Sequence, residues 1–197
     1  MHFLKDKTLP FILLIGGLTL LWGCNNPEPQ EPDPVRRKSP IAIAKVNHEA
    51  TDTYIKIVYG QPYKHNRDIF GNLVPYDEVW RTGANEATEL TTTQPILFGG
   101  QRLEAGTYAL FTIPHKEGDW TVILNDELGQ WGAFNYKKPN DVLRVSAPVQ
   151  QQKATVEALT IEFSEVEENS TDIIISWDQT LVKIPVTFIG GSSEVSS

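Results

Sequence analysis

LEAGTYALFTIPHKEGDWTVILN, residues 103–125, decides the fold class. Leu103 to Ile113 and Trp120 to Asn125 are rich in β-branched, aromatic and aliphatic residues, the composition of strands. Between them His115 to Asp119 is a turn, with Gly118 available for positive φ. The unit therefore reads as two consecutive antiparallel strands. Within the first, Tyr108 and Phe111 fall on opposite faces, so at least one of them packs into a core.

The same signal extends in both directions. Thr53 to Tyr59 alternates, with Ile55, Ile57 and Tyr59 on one face and Tyr54, Lys56 and Val58 on the other. Thr88 to Thr93 is threonine-rich, and Ile96 to Phe98 follows before the Gly99–Gly100 turn. Val142 to Val145, Val156 to Phe163, Ile173 to Trp177 and Leu181 to Phe188 complete the strand set. Trp120 and Trp177, on alternating strands, are expected in the core. Pro185 suggests that the last strand lies at an edge, because proline donates no ladder hydrogen bond. No segment carries a sustained helical stripe, although Asp126 to Gln130 has room for one turn. The chain is thus expected to be all-β, an antiparallel β-sandwich or jelly roll with one long polar and aromatic loop. Ile41 to Ile189 forms a single domain in this reading, followed by a polar tail over 190–197.

The amino terminus reads differently. Lys5 and Lys7 precede an apolar run from Phe11 to Trp22. As a helix that run reaches roughly 18 Å, short of a hydrocarbon core of roughly 30 Å, which suits a signal peptide over residues 1–23. Leu21-Trp22-Gly23-Cys24 resembles the lipobox of bacterial lipoproteins, although Trp22 is larger than the pattern prefers at its place. The resemblance implies lipidation of Cys24, the single cysteine of the chain. Pro27, Pro29, Pro32, Pro34 and Pro40 make residues 24–40 an extended tether. The expected location is the cell envelope: anchored through the N-terminal lipid, facing the periplasm or the exterior, with the outer membrane as the expected membrane. A formal charge of −8 argues against nucleic acid as a partner.

Tyr59 to Thr88 reads YGQPYKHNRDIFGNLVPYDEVWRTGANEAT, and GGQRLEAGTYALFTIP, DWTVILN and QWGAFNY follow. These segments resemble a Gram-negative bacterial family of secreted proteins and lipoproteins known only as a domain of unknown function, the one numbered 2911. The resemblance spans about Lys45 to Val186, and VWRTGANEAT is its most specific part. It brings no activity with it.

The residues carry no nucleophile elbow, zinc-protease helix, Cys-x-x-Cys or phosphate loop. No metal site, cofactor or catalytic residue is assigned, and His48, His65 and His115 read as surface histidines. Polar side chains concentrate between Tyr59 and Glu89, and Gly60 to Glu78 is a long loop of the kind that often carries function. Trp80 and Arg81 are neighbours in an expected strand and point to opposite faces. Arg81 is the expected buried partner, stapled by Asp68, Asp77, Glu78 or Glu86, because an unpaired buried charge is costly. The alternative is a ligand site for a glycan or small molecule. Trp80, Trp131, Phe134 and Tyr136 would offer flat faces there, and Arg67, Arg81, Asn85, Glu86 and Asn135 directional hydrogen bonds. A binding or scaffolding module is the favoured function. The alternatives are a hydrolase pairing Asp68 or Glu78 with Glu86, at the roughly 5–9 Å such chemistry needs, and a purely structural interaction module.

Overall fold

The computed structural model describes residues 37–189. The signal segment, Cys24, the tether as far as Arg36 and the tail over 190–197 lie outside the described residues.

Among the described residues ten strands follow one another: β1 (Ile41–His48), β2 (Thr53–Gly60), β3 (Thr88–Thr92), β4 (Ile96–Phe98), β5 (Gln101–Leu103), β6 (Gly106–Ile113), β7 (Trp120–Asn125), β8 (Asp141–Ala147), β9 (Val149–Phe163) and β10 (Ser170–Phe188). They form a six-stranded sheet, β1-β2-β3-β6-β7-β8, and a four-stranded sheet, β5-β4-β10-β9. Every pairing is antiparallel. The protein is a β-sandwich, and its main core joins the inner faces of both sheets. Ile55, Leu90 and Leu110 come from the first sheet, and Phe98, Ile175 and Ile184 from the second. Trp120 and Trp177 are both in this core, as the alternation requires.

β2 follows its two-residue period, with Thr53, Ile55, Ile57 and Tyr59 buried and the intervening residues half-exposed. β6 is buried on both faces from Tyr108 to Thr112. Tyr108 packs in the main core, whereas Phe111 joins Ala87, Ala109 and Ile123 in a second, smaller cluster. That cluster is flanked by Val79, Ala133 and Tyr136, so parts of the 61–87 and 126–140 segments cover the outer face of the six-stranded sheet.

Four expectations are corrected. Leu103 to Ile113 is not one strand: Leu103 ends β5 in one sheet, and β6 begins at Gly106 in the other. The chain changes sheets at Glu104–Ala105, where Tyr108 Oη donates to Glu104 O (3.1 Å). Conversely, Ile173–Trp177 and Leu181–Phe188 form one continuous strand, β10, bent by register shifts around Asp178, whose φ is 53°. β10 is also interior to its sheet, not at an edge. Pro185 is accommodated because it lies one residue past the Val186–Phe98 pair, opposite the turn. Its carbonyl accepts from Gly99 N (2.8 Å), and the ladder to β4 has already ended. Finally, Asp126 to Gln130 makes no helical turn; the short 3-10 turns are Glu49–Thr51 and Lys138–Asn140.

Candidate functional site

The segment from Gln61 to Ala87 links β2 to β3 and is pinned at both ends. Near its start Lys64 N donates to Glu157 O (2.7 Å), and Lys64 Nζ pairs with Asp178 (2.8 Å). Arg67 Nε donates to Lys64 O (2.9 Å) and its Nη2 to Tyr63 O, so this guanidinium is oriented by carbonyls of its own turn.

The far end folds back on β2. Ala84 N donates to Gly60 O (3.0 Å), and Gly60 permits the approach: a Cβ there would sit 2.0 Å from Ala84 O. Thr82 and Asn85 take positive φ, 53° and 66°. Gly83 does not, but it too is hemmed in, with Gly60 O and Thr88 Oγ1 3.0 Å from where its Cβ would lie. Thr88 Oγ1 donates to Thr82 O (2.9 Å), and Asn85 O accepts from Gly132 N (2.8 Å). Arg81 and Asn85 are thus displayed from a turn fixed by backbone contacts.

Trp80 and Arg81 take the reverse of their expected roles. Trp80 is bridged to β6 through Thr112, with N–H···O bonds of 2.7 and 2.9 Å in the two directions. Its ring is buried against Trp177, centroids 5.9 Å apart and planes at 17°, and Phe70 meets both rings edge-on. Trp80 Nε1 donates to Gly83 O (3.2 Å). With the indole inside, Arg81 faces outward and is only half-buried. No carboxylate among the described residues forms an ion pair with it. Its Nε is buried without a hydrogen-bond partner, and burial pushes the guanidinium below its ordinary pKa. The expected carboxylate staple is absent.

Arg81 borders two cavities. One, of about 520 Å³, is lined by Lys38, Tyr63, Arg67, Arg81, Asn85 and Trp177 among others. The second, of about 340 Å³, is lined by Leu73, Glu78, Trp80, Arg81 and Phe134 among others. Of the nine residues expected to bind ligand, Arg67, Arg81 and Asn85 meet at the first cavity, and Phe134 lines the second. Trp80 reaches the second only with the little of its surface that its core packing leaves exposed. Glu86 faces a different hollow, beside Ile41 and Glu89, and pairs with Arg37, whose hydrogen bond holds its carboxyl below the usual range. Trp131 is bridged to Glu86 through the backbone, with its ring exposed. Asn135 is exposed and lines neither cavity.

Tyr136 is structural in its contacts. Its Oη donates to Asp141 Oδ2 (2.7 Å) and accepts from Arg144 Nη2 (2.6 Å), and its ring meets Phe111 edge-on at 5.2 Å. Tyr63 and Trp177 also border the larger cavity, beyond the residues to which the sequence points. Tyr63 is one aromatic among several in the polar loop, and Trp177 is almost wholly a core residue.

The carboxylates considered for hydrolysis do not share a cavity. Glu78 lines the second, Glu86 lines the hollow beside β1, and Asp68 is exposed and lines neither of these. The histidines are also dispersed. His48 is buried, not on the surface: it stacks on Phe188 at 4.4 Å, with Nδ1 2.8 Å from Thr51 Oγ1 and Nε2 2.9 Å from Glu168 O. His115 Nδ1 lies 2.6 Å from Asp77 Oδ1. Among the described residues no three histidine, cysteine or acidic side chains gather as a metal-holding group, and no helix is long and apolar enough to cross a membrane.

The profile of the family described as Protein of unknown function (DUF2911) matches residues 39–186. No curated protein and no solved structure matches the chain.

Proposed function

We propose, for a chain that belongs to the DUF2911 family of unknown function, a lipid-anchored envelope protein whose β-sandwich binds a small molecule or glycan. The observation that carries this is the meeting of Arg67, Arg81 and Asn85, with Tyr63, around one cavity of about 520 Å³. Small-molecule sites typically enclose about 300–1,000 Å³ and pair apolar or aromatic walls with a few placed polar groups. Arg81 and Asn85 stand on a turn whose backbone is held by Gly60, Thr88 and Gly132, and Arg67 is oriented by the carbonyls of Tyr63 and Lys64, so little ordering is needed when a ligand arrives. The anchor is supported by the basic start, the short apolar run and the Leu21–Cys24 motif. The dispersal of Asp68, Glu78 and Glu86 gives a two-carboxylate hydrolase no comparable support.

Saturation-transfer NMR on the full chain in detergent micelles tests the reading, using a panel of neutral and charged mono- and oligosaccharides. Leu73→Trp is the blocking variant, because Leu73 is exposed and borders both cavities. Hits that disappear in Leu73→Trp are expected. A panel with no hit, or hits unchanged by the added indole, would remove the binding reading.

A further inference from the structure

We infer that the larger cavity takes an organic anion, a small molecule bearing a carboxylate, phosphate or sulfate group, with Arg81 as its anchor and Arg67 and Lys38 as flanking charges. The inference rests on the binding reading and names the ligand class.

The first ground is the composition of the cavity wall. Lys38, Arg67 and Arg81 line it, His65 is beside them, and among the described residues no aspartate or glutamate does. This is unusual in a chain whose formal charge is −8. Three nearby carboxylates are already engaged, and Asp68, next to Arg67, is exposed and does not line the cavity. Glu157 Oε1 accepts from His65 N (2.9 Å), Asp178 pairs with Lys64 (2.8 Å), and Glu86 pairs with Arg37.

The second ground is what the two arginines lack. Arg67 donates to the carbonyls of Tyr63 and Lys64, which fix its direction and leave its charge in place. Arg81 has no ion pair among the described residues, and its Nε is sealed from solvent without a partner. A partly buried guanidinium in that condition is costly to the fold, and an anion in the adjoining cavity offsets the cost. Concave sites of one sign also focus the field and concentrate counter-ions.

The chemistry of the wall narrows the ligand. A guanidinium presents a planar fork that matches two oxygens of a carboxylate, phosphate or sulfate. Tyr63, with the little of Trp177 that is not buried, adds apolar surface, and Asn85 adds a directional neutral group. A charged sugar or similar organic acid uses all of these, whereas a bare inorganic ion uses only the first.

The test titrates the full chain in micelles with glucose, glucuronate, glucose 6-phosphate and glucose 6-sulfate, which share a ring and differ in charged group. At least one charged probe is expected to bind about tenfold or more tighter than glucose, the difference one charge-assisted bidentate contact supplies. That binding should weaken as salt rises. Arg81→Gln should abolish the preference and Arg81→Lys should restore part of it. Arg67→Gln should weaken it less, and supplies the result if Arg81→Gln does not fold. The relative rank of the three charged probes identifies the anionic group.

Equal affinity for glucose and every charged probe would overturn the anion while leaving a binding module in place. So would a charge preference untouched by both glutamine variants. Neutral panel members that bind, are blocked by Leu73→Trp and outcompete all charged probes would overturn it in the same way. No binding by any probe, neutral or charged, would remove both readings together.

Discussion

Trp80 lies against Trp177 with ring centroids 5.9 Å apart and planes 17° from parallel, and Phe70 closes the pair edge-on. This stack decides which way the 61–87 segment faces. It places an indole in the main core and leaves the next side chain, Arg81, at the cavity wall.

The two neighbours should therefore differ sharply on truncation. Trp80→Ala removes a buried indole and opens a cavity, and should cost about 3–5 kcal/mol of stability. Arg81→Ala strands no carboxylate and relieves an unpartnered Nε, so its cost should stay within about 1 kcal/mol. Denaturant midpoints of the two variants measure both. A larger loss at Arg81 than at Trp80 would mean that Arg81 has a charged partner after all.

Gly60 and Ala84 predict a second contrast. A methyl on Gly60 would sit 2.0 Å from a backbone oxygen, so one of the two strands of backbone must move. Gly60→Ala should cost about 1–3 kcal/mol as an overpacking change, and should displace the turn that carries Arg81 and Asn85. Gly100, with open space around its Cβ position and φ of +80°, is the control. Gly100→Ala should cost about 1 kcal/mol through its left-handed backbone alone and leave ligand binding untouched. Chemical shifts of the Thr82 to Asn85 amides report the displacement. Unchanged shifts in Gly60→Ala would contradict it.

The sandwich was legible because most of its strands bury one face and repeat every two residues, as β2 does from Thr53 to Tyr59. The change of sheet between Leu103 and Gly106 was not, because an apolar run looks the same whether or not it changes partners. β10 shows the converse: the polar Asp178–Thr180 interruption looked like a loop and is a bend within one strand. At the site, alternation placed Trp80 and Arg81 on opposite sides but could not say which side was inside. That depended on Trp177, nearly a hundred residues away in the chain. Arg67, Arg81 and Asn85 converge because one loop carries them, whereas Asn135 and Tyr136 belong to another loop, and Tyr136 is used up by Asp141 and Arg144.

The proposed anchor depends on one atom. Cys24→Ser offers no thiolate to form a thioether and should leave the chain unlipidated. Metabolic labelling with a fatty acid, followed by detergent phase partitioning, should show label in the parent chain and none in the variant. Equal label in both would end the lipoprotein proposal and leave the β-sandwich as it is.

Tyr136, Asp141 and Arg144 make the last prediction. Asp141 Oδ2 accepts from both Tyr136 Oη and Arg144 Nε, each at 2.7 Å, and Asp141 Oδ1 accepts from Asn125 Nδ2 at 2.9 Å. Burial, and then the hydrogen bond given to Asp141, raise the Tyr136 phenol above its ordinary value of about 10, outweighing the opposite pull of Arg144. The folded state therefore holds the phenolic proton more tightly than the unfolded chain does. Stability from that preference is fully present below about pH 10 and is lost as pH rises through the raised folded value. Tyr136→Phe removes the titrating group and should cost about 1–2 kcal/mol at neutral pH, the loss of one partly buried hydrogen bond to a charged acceptor. The stability gap between wild type and variant should stay constant from neutral pH to about 10 and then narrow as pH rises further. Denaturant unfolding of both proteins across that range measures the gap, with all other ionisations cancelling in the difference. A gap that widens in alkali would mean that the folded protein favours the phenolate and that Arg144, not Asp141, dominates the site. The same variant should bind the charged sugars as the parent does, because Tyr136 does not line the cavity where Arg81 stands.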